Sequence, residues 1–182
     1  MLVAKSMRIR VLPPNPNWET AYTVEAVRIL SAFEGVEIEL HHIGSTAIRG
    51  IFAKPIIDIL LIVPDLGELD RRTPSIQSLG YEAMGEFGIP DRRYFRRNSE
   101  LGIRTHQIHA FERGTANSER HLAFRDYMNA HPLAAQAYSA LKLHLAQAFP
   151  HNIEAYMDGK DAFIKHHETI ALSWQSSCRH GD

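Results

Sequence analysis

The sequence predicts an α+β fold in which a small mixed sheet is flanked by helices and followed by a helical C-terminal segment. Three observations indicate this fold. Apolar residues recur at spacings of three and four near the start, switch to a spacing of two in several short stretches, and return to helical spacing beyond Gly114. The predicted order, α-β-β-α-β-β followed by helices, is that of one domain covering 1–182, with an α/β core at 15–114 and C-terminal helices at 115–172.

The composition is that of an ordinary globular domain. Of the 182 residues, 45% are hydrophobic and 23% are charged, and the 20 basic residues nearly balance the 21 acidic ones. The resulting net charge of −1 argues against nucleic acid as a partner. The only cysteine, Cys178, forms no intrachain disulfide, and no stretch approaches the roughly 20 apolar residues of a membrane span. We therefore expect a cytoplasmic protein without a signal peptide or a membrane partner.

The first part of the core is predicted as one helix and two strands. Asn15-Pro16 has the residues of a helix start, and the helical apolar spacing continues to Gly35. Residues 36–43 alternate apolar and polar side chains, which predicts a half-buried strand. Residues 56–63 are apolar on both faces except at Asp58, which predicts the central strand of the sheet.

The rest of the chain is predicted as a helix, a short strand, a hairpin and three C-terminal helices. Residues 65–80 form a helix that starts again at Thr73-Pro74, because proline is favoured in a first helical turn. Residues 81–84 form a short strand, and 92–97 pairs with 103–111 as an antiparallel hairpin. The C-terminal helices are expected at 118–130, 132–149 and 153–172.

Asp58 is the residue that most clearly indicates a function. An ionised carboxylate between Ile57 and Ile59 is costly to bury unless a cation, a metal ion or several hydrogen-bond donors meet it. The alternative is a structural Asp that is paired with an Arg or lies at the solvent end of the strand. The turn at 44–46, Gly-Ser-Thr, offers backbone N–H groups and two hydroxyls that suit a phosphate oxygen, although plain turn chemistry also explains it.

The Ile43-Gly44-Ser45 turn, a gap of twelve residues and the acid Asp58 together resemble the signature of the nucleotidyltransferase superfamily. Wider blocks of the sequence resemble the GrpB family; they lie at 42–47, 54–58, 104–109, 124–127 and 156–163. This resemblance implies a nucleotidyltransferase-like fold with a cleft beside Gly44-Ser45 and Asp58. It implies a nucleotide or another phosphorylated small molecule as the ligand, and it implies no particular reaction.

The resemblance also implies which residues form the site. Those expected to bind the phosphate or nucleotide are Gly44, Ser45, Thr46, Lys54, Arg125, Lys142 and Lys160. Lys142 is included for its helical position rather than for the resemblance: Tyr138 lies one turn before it on the same face, so that the pair could close the cleft. A Tyr138 packed in the core with a solvated Lys142 is an equal alternative. Asp58 and His109 are the expected catalytic residues, and both, together with His42, are the expected ligands of a metal ion. For His42 a place in the core is an equal alternative.

The sequence departs from the superfamily pattern at the second acid. Active members have another carboxylate two residues after the first, where this chain has Leu60, and the strand expected to supply a third acid offers His106, Gln107 and His109. We therefore expect at most one divalent ion, Mg, Mn or Zn, and it stays open whether the protein is a transferase. The other histidines are expected at the surface; these are His41, His121, His131, His144, His151, His166, His167 and His180.

Two other functions fit the sequence. One is a phosphate-binding module on the same scaffold that has lost catalysis together with the second acid. The other is an adaptor that uses the four arginines of the hairpin strand, Arg92–Arg97, to bind an acidic protein. A solvated edge strand protected by its charges is the plain structural interpretation of that segment.

Overall fold

A five-stranded mixed sheet forms the middle of the structure, a computed structural model that describes residues 8–179. Its strands are β1 (Glu39–Ile43), β2 (Ile57–Val63), β3 (Glu82–Ala83), β4 (Arg93–Asn98) and β5 (Arg104–Glu112). Their spatial order is β1-β2-β5-β4-β3, in which β2 and β5 are parallel and the other neighbours are antiparallel. The predicted mixed sheet is confirmed, and β2 has neighbours on both sides.

Helices cover the sheet and form the C-terminal part of the described chain. They are α1 (Asn17–Ser31), α2 (Leu66–Ser78), α3 (Ala116–Ala130), α4 (Pro132–Ala148) and α5 (Ile153–Arg179), and a single 3-10 turn, Ser45–Ala47, follows β1. Within residues 8–179, no helix combines the length and the apolar character that a membrane span needs. The predicted α+β class with a helical C-terminal segment is confirmed.

Strand β2 is buried on both faces, as its apolar sequence predicts. Ile59 and Leu61 belong to the main core, where α1 and α2 contribute Ile29 and Leu69. On the opposite face Leu60 packs in a second cluster with residues of β1 and β5. Each fully buried aliphatic side chain stabilises the fold by roughly 1.5–3 kcal/mol, so β2 anchors both layers.

The predicted restart of the second helix is wrong. Helix α2 is continuous, and Pro74 lies inside it. Leu69 and Ile76, seven residues apart and therefore on one face, are both fully buried. Their packing against the sheet on both sides of the proline holds the helix together despite the missing N–H donor.

Several predicted boundaries move for local reasons. Strand β1 begins at Glu39 rather than at residue 36, because the Val36 N–H still donates to the Phe33 carbonyl at the end of α1. Helix α3 begins at Ala116 because the Thr115 side chain caps it. Helix α5 continues to Arg179, beyond the predicted end at residue 172.

A buried ion pair connects α1 to β4. The Glu25 carboxylate, in a residue only 2% exposed, accepts hydrogen bonds from Arg97 at 2.9 Å and from the Tyr81 hydroxyl at 3.0 Å. Arg28 donates to the same carboxylate from one turn further along α1. A buried carboxylate needs such partners, so this network holds α1 against the part of the sheet that contains β4.

We predict that Glu25→Ala lowers the free energy of unfolding by about 3–5 kcal/mol, because it leaves the Arg97 guanidinium without its partner in a desolvated position. Urea unfolding followed by circular dichroism measures the change. The matched control is Glu82→Ala, which removes an exposed ion pair to Arg96 in the same sheet and should change stability little. Equal effects of the two substitutions would contradict this assignment.

Candidate functional site

The turn after β1 lies directly on the Asp58 carboxylate. The β1-β2 register places Ile43 opposite Asp58, and Gly44 follows with φ 70° and ψ −171°. L-amino acids rarely adopt this conformation, and a Cβ at Gly44 would collide with the Asp58 carboxylate. Glycine is therefore required here twice, by its backbone conformation and by the space available.

A cavity of about 310 Å³ opens beside this carboxylate, between the sheet and helices α3, α4 and α5. Six predicted site residues line it: Gly44, Ser45, Lys54, Asp58, His109 and Lys160. We call this cavity the Asp58 cleft. Its walls also include Tyr138 and Tyr156, and the Tyr138 hydroxyl lies near the Ser45 side chain. The phenol of Tyr138 is deeply buried, which raises its pKa to about 12.

Two lysines face the Asp58 cleft without an acidic partner. Lys160 is 8% exposed, and its ammonium lies 4.7 Å from the centre of the Tyr156 ring. The Lys54 ammonium lies 5.7 Å from the same ring. Within residues 8–179, neither ammonium has a carboxylate at ion-pair distance or a hydrogen-bond acceptor. Burial, and secondarily Lys54, lowers the pKa of Lys160 to about 8, while Asp58 opposes this; burial also lowers the pKa of Lys54.

Lys142 does not line the cleft as expected. It is 1% exposed, its ammonium donates to the Phe52 carbonyl, and it lies 4.5 Å from the centre of the Tyr138 ring. Burial lowers its pKa to about 7, with a further contribution from Lys160. Lys142 therefore adds positive charge near the Asp58 cleft without reaching a ligand there directly.

His109 faces Asp58 across the end of the sheet, with 3.5 Å between its Nε2 and Asp58 Oδ1. Its other ring nitrogen, Nδ1, lies 3.4 Å from a terminal nitrogen of Arg92. Backbone carbonyls of Glu86 and Phe87 accept from the same guanidinium and hold it in place. A guanidinium only donates hydrogen bonds, so Nδ1 is the acceptor in this contact and Nε2 carries a proton toward Asp58.

His42 does not share a site with Asp58, contrary to its expected role as a metal ligand. Side chains alternate along β1, so His42 lies on the sheet face opposite to Ile43 and Asp58. The Thr46 hydroxyl donates to the Ile56 carbonyl at 3.1 Å and thus accepts from His42 Nε2 at 2.9 Å. Burial is the main reason that the pKa of His42 falls to about 4, so its ring is neutral at pH 7.

Arg125 and Thr46 also lie apart from the Asp58 cleft, although a common phosphate site was expected. Both line a separate cavity of about 730 Å³ between α1, the turn after β1 and α3. Arg125 donates to the His42 carbonyl at 3.1 Å and to Asp126 at 2.7 Å. Its guanidinium thus connects α3 to the end of β1, on the side of the turn that faces away from the Asp58 cleft.

His121 is a cleft residue that the sequence interpretation placed at the surface. It lines the Asp58 cleft, its ring centre lies 5.7 Å from that of His109, and burial lowers its pKa to about 3. Its Nδ1–H donates to the Asn117 carbonyl. The available signal was helical spacing, because His121 precedes Phe124 and Met128 by three and seven residues on the inward face of α3.

The arginines of the hairpin strand do not form a free basic surface. Their partners are the carbonyls of Glu86 and Phe87 for Arg92, and the carboxylates of Asp70 for Arg93, Glu82 for Arg96 and Glu25 for Arg97. Strand β4 also has neighbours on both sides, β5 and β3, so it is not an edge strand. Since these arginines are already paired within the chain, they do not form the free basic surface on which the adaptor hypothesis depends.

Comparison with solved structures defines the class of fold. The chain is similar to the Cid1 poly(U) polymerase with a TM-score of 0.53 and 10% identity, over 75% of this chain and 43% of that one. At this identity the likeness is one of fold, and it places the protein among nucleotidyltransferase-like folds. The model of the GrpB protein family matches residues 8–169, and the chain belongs to the GrpB family.

Relatives within the family agree with this placement. The chain is similar to the UPF0157 protein YqkA of Bacillus subtilis (strain 168), at 39% identity over 168 residues, which are 92% of this chain and 48% of YqkA. It thus spans about half the length of that relative. It is also similar to the crystal structure of the conserved protein GrpB from Enterococcus faecalis, at 39% identity and a TM-score of 0.85, over 91% of this chain and 99% of that one.

We predict that Gly44→Ala lowers the free energy of unfolding by about 2 kcal/mol or more beyond the loss caused by Gly50→Ala. Both glycines have positive φ, but a Cβ at Gly50 meets open space. Urea unfolding measures the stability of both variants, and the difference between their losses gives the cost of the collision with Asp58. Adding Asp58→Ala to Gly44→Ala should recover part of the loss, and strict additivity would contradict the proposed contact.

Proposed function

We propose that the protein binds a phosphate-bearing small molecule, a nucleotide or another phosphate ester, in the Asp58 cleft. The observation that supports this most is the pair of ammonium groups on Lys54 and Lys160, which face the cleft beside the Gly44-Ser45 turn without an acidic partner in the described chain. Both lysines are partly desolvated, and neither ammonium has a carboxylate at ion-pair distance, so a bound anion would supply a close opposite charge.

The charges of the cleft favour an anion. Its cationic side chains are Lys54, Arg120 and Lys160, and its anionic ones are Asp58 and Glu168. Arg120 and Glu168 form an ion pair with each other, so two lysines remain for one carboxylate. Lys142 adds to the excess only when it is protonated, below its pKa of about 7. A phosphate group suits this arrangement because several of its oxygens can accept charge-assisted hydrogen bonds at once.

Nucleotides are the first ligands to test. The Cid1 structure was solved with Mg and 3′-dATP, and its likeness to this chain is one of fold. The phenol rings of Tyr138 and Tyr156 add apolar surface for the organic part of a ligand. In this proposal Lys54 and Lys160 bind phosphate oxygens, and the Ser45 hydroxyl and the Gly44 turn orient them.

A binding role without nucleotidyl transfer is the second candidate within this proposal. It is favoured by Leu60, which is fully buried where the second strand carboxylate of an active superfamily member would lie. Asp58 would then accept a hydrogen bond from a ligand hydroxyl without activating it. Incubation with labelled ATP, and chromatography of the products, separates a transferase from a binding module.

We predict that Lys160→Met and Lys54→Met each weaken the binding of AMP by about tenfold to a hundredfold, because each removes a charge-assisted hydrogen bond. Isothermal titration calorimetry measures the affinities. Lys165→Met is the matched control: Lys165 lies on α5 like Lys160, but its side chain is 72% exposed and pairs with Asp161. A loss of equal size in Lys165→Met would show that the effect is not local to the cleft.

We also predict that the affinity for AMP is nearly constant from pH 7 to 8 and falls by up to about tenfold per pH unit above that. The pKa of Lys160 in the free protein is about 8, so the lysine must take up a proton to bind the anion at higher pH. Calorimetry in buffers of different ionisation enthalpy measures this proton uptake.

Whereas the affinity for AMP should fall above pH 8, the stability of the ligand-free protein should rise there. In the unfolded chain Lys160 keeps its proton up to a pKa of about 10.5, so between pH 8 and 10 the unfolded state binds more protons than the folded state. This contribution to stability therefore rises with pH in that window. Lys160→Met should flatten both pH profiles, and unchanged profiles in this variant would assign the titration to another group.

A further inference from the structure

We infer that lysine side chains take the place of metal ions in the Asp58 cleft, so that its ligand is a metal-free phosphate ester or anhydride rather than a magnesium complex. This inference rests on the proposed function and goes beyond it by naming the form in which the ligand binds. Nucleotidyltransferase-like folds imply divalent metal ions, and a single ion was the expectation from the sequence. The side chains around Asp58 do not fit that role.

The cleft has too few free acidic side chains for the metal ions of an active nucleotidyltransferase. Two neighbouring divalent ions need several carboxylates, but Asp58 is followed at the second position by Leu60, which is 0% exposed and packs in the core. Opposite Asp58 on β5 stands Gln107. The other acid of the cleft, Glu168, is paired with Arg120. Across residues 8–179, no three His, Cys, Asp or Glu side chains come close enough to hold a metal ion together.

The geometry of His109 also disfavours metal binding. Coordination by Nε2 would require the proton to sit on Nδ1, but Nδ1 faces the Arg92 guanidinium at 3.4 Å. Two donors would then point at each other. In the arrangement described above, the Nε2–H instead faces the Asp58 carboxylate, with 3.5 Å between Nε2 and Oδ1. His109 is thus a partner of Asp58 rather than a second ligand beside it.

Ammonium groups already supply the positive charge that metal ions would bring. Lys54 lowers the pKa of Lys160, and Lys160 lowers that of Lys142, so the three charges are close enough to interact. A divalent ion placed beside Asp58 would add to this repulsion. A phosphate group would relieve it, because each of its oxygens can face an ammonium that has no carboxylate partner.

This arrangement has a measurable consequence for a ligand such as ADP. Magnesium and the lysines compete for the same phosphate oxygens, and Mg²⁺ neutralises two of the negative charges that the lysines attract. We therefore expect ADP to bind about threefold to tenfold more tightly in EDTA than in excess MgCl₂ at matched ionic strength, measured by isothermal titration calorimetry. AMP, which coordinates Mg²⁺ less strongly, serves as a control and should respond less.

The substitution Asp58→Asn distinguishes metal-free binding of ADP from binding through a metal ion, because the two modes predict opposite changes in affinity. At pH 6.5, where Lys160 stays protonated, removing the carboxylate charge should tighten metal-free ADP binding by about twofold to tenfold, because like charges no longer repel. If a metal ion on Asp58 held the ligand, the same substitution would abolish binding. A circular dichroism melt confirms that the variant is folded, and the amide keeps the shape of the side chain.

Each result decides between the possibilities. Binding of ADP only with Mg²⁺ or Mn²⁺, or its loss in Asp58→Asn, would overturn the metal-free mode and leave the proposed function standing. No binding of ADP or AMP in either buffer would overturn both. Nitrogen-15 NMR of the histidine rings gives a readout without ligand: we expect a proton on Nε2 of His109 and no change on adding Zn²⁺, and a shift of that nitrogen on adding Zn²⁺ would contradict the inference.

Discussion

The contact between the Gly44 backbone and the Asp58 carboxylate determines the geometry of the site. Because Ile43 pairs with Asp58, the chain must turn immediately above the carboxylate, and only glycine leaves room for it. The same turn sends Ser45 toward Tyr138 on α4, on the cleft side. It sends Thr46 toward His42, on the other side of the sheet. Successive residues of this turn therefore line two different cavities.

The fold class could be predicted from the sequence because the spacing of apolar residues shows which faces of helices and strands are buried. Strand β2 shows this best: its residues are apolar on both faces, and both faces are buried. Where the prediction was wrong, a tertiary contact outweighed a local preference. Pro74 favours a helix start, yet the buried side chains of Leu69 and Ile76 keep α2 continuous across it. Such packing depends on the position of the sheet, which local sequence does not contain.

Some of the residues predicted for one site lie together in the structure, and others do not. Lys54, Asp58 and Lys160 do meet in one cleft, although they come from the start of β2 and from α5. His42 and Arg125 were assigned to the same cleft, but which strand face meets which helix follows from the pairing register, and a shift of one residue reverses every side chain. His121 was wrongly assigned to the surface. A histidine is polar, so the sequence alone does not distinguish one on the buried face of a helix from one on the exposed face.

The buried lysines connect ligand binding to the stability of the fold. Lys142 and Lys160 lie in desolvated positions beside aromatic rings, at 4.5 and 4.7 Å from the ring centres, and these rings offset only part of the cost of burying an ammonium. In the folded state both lysines consequently release their protons at lower pH than in the unfolded chain. An anion in the cleft removes this penalty, because it stabilises the charged form of each nearby lysine. In the proposed function, the free energy of binding would include the relief of this unfavourable arrangement. A phosphate group would then enter a cleft in which Asp58 is the lining carboxylate, among the described residues, that has no arginine partner.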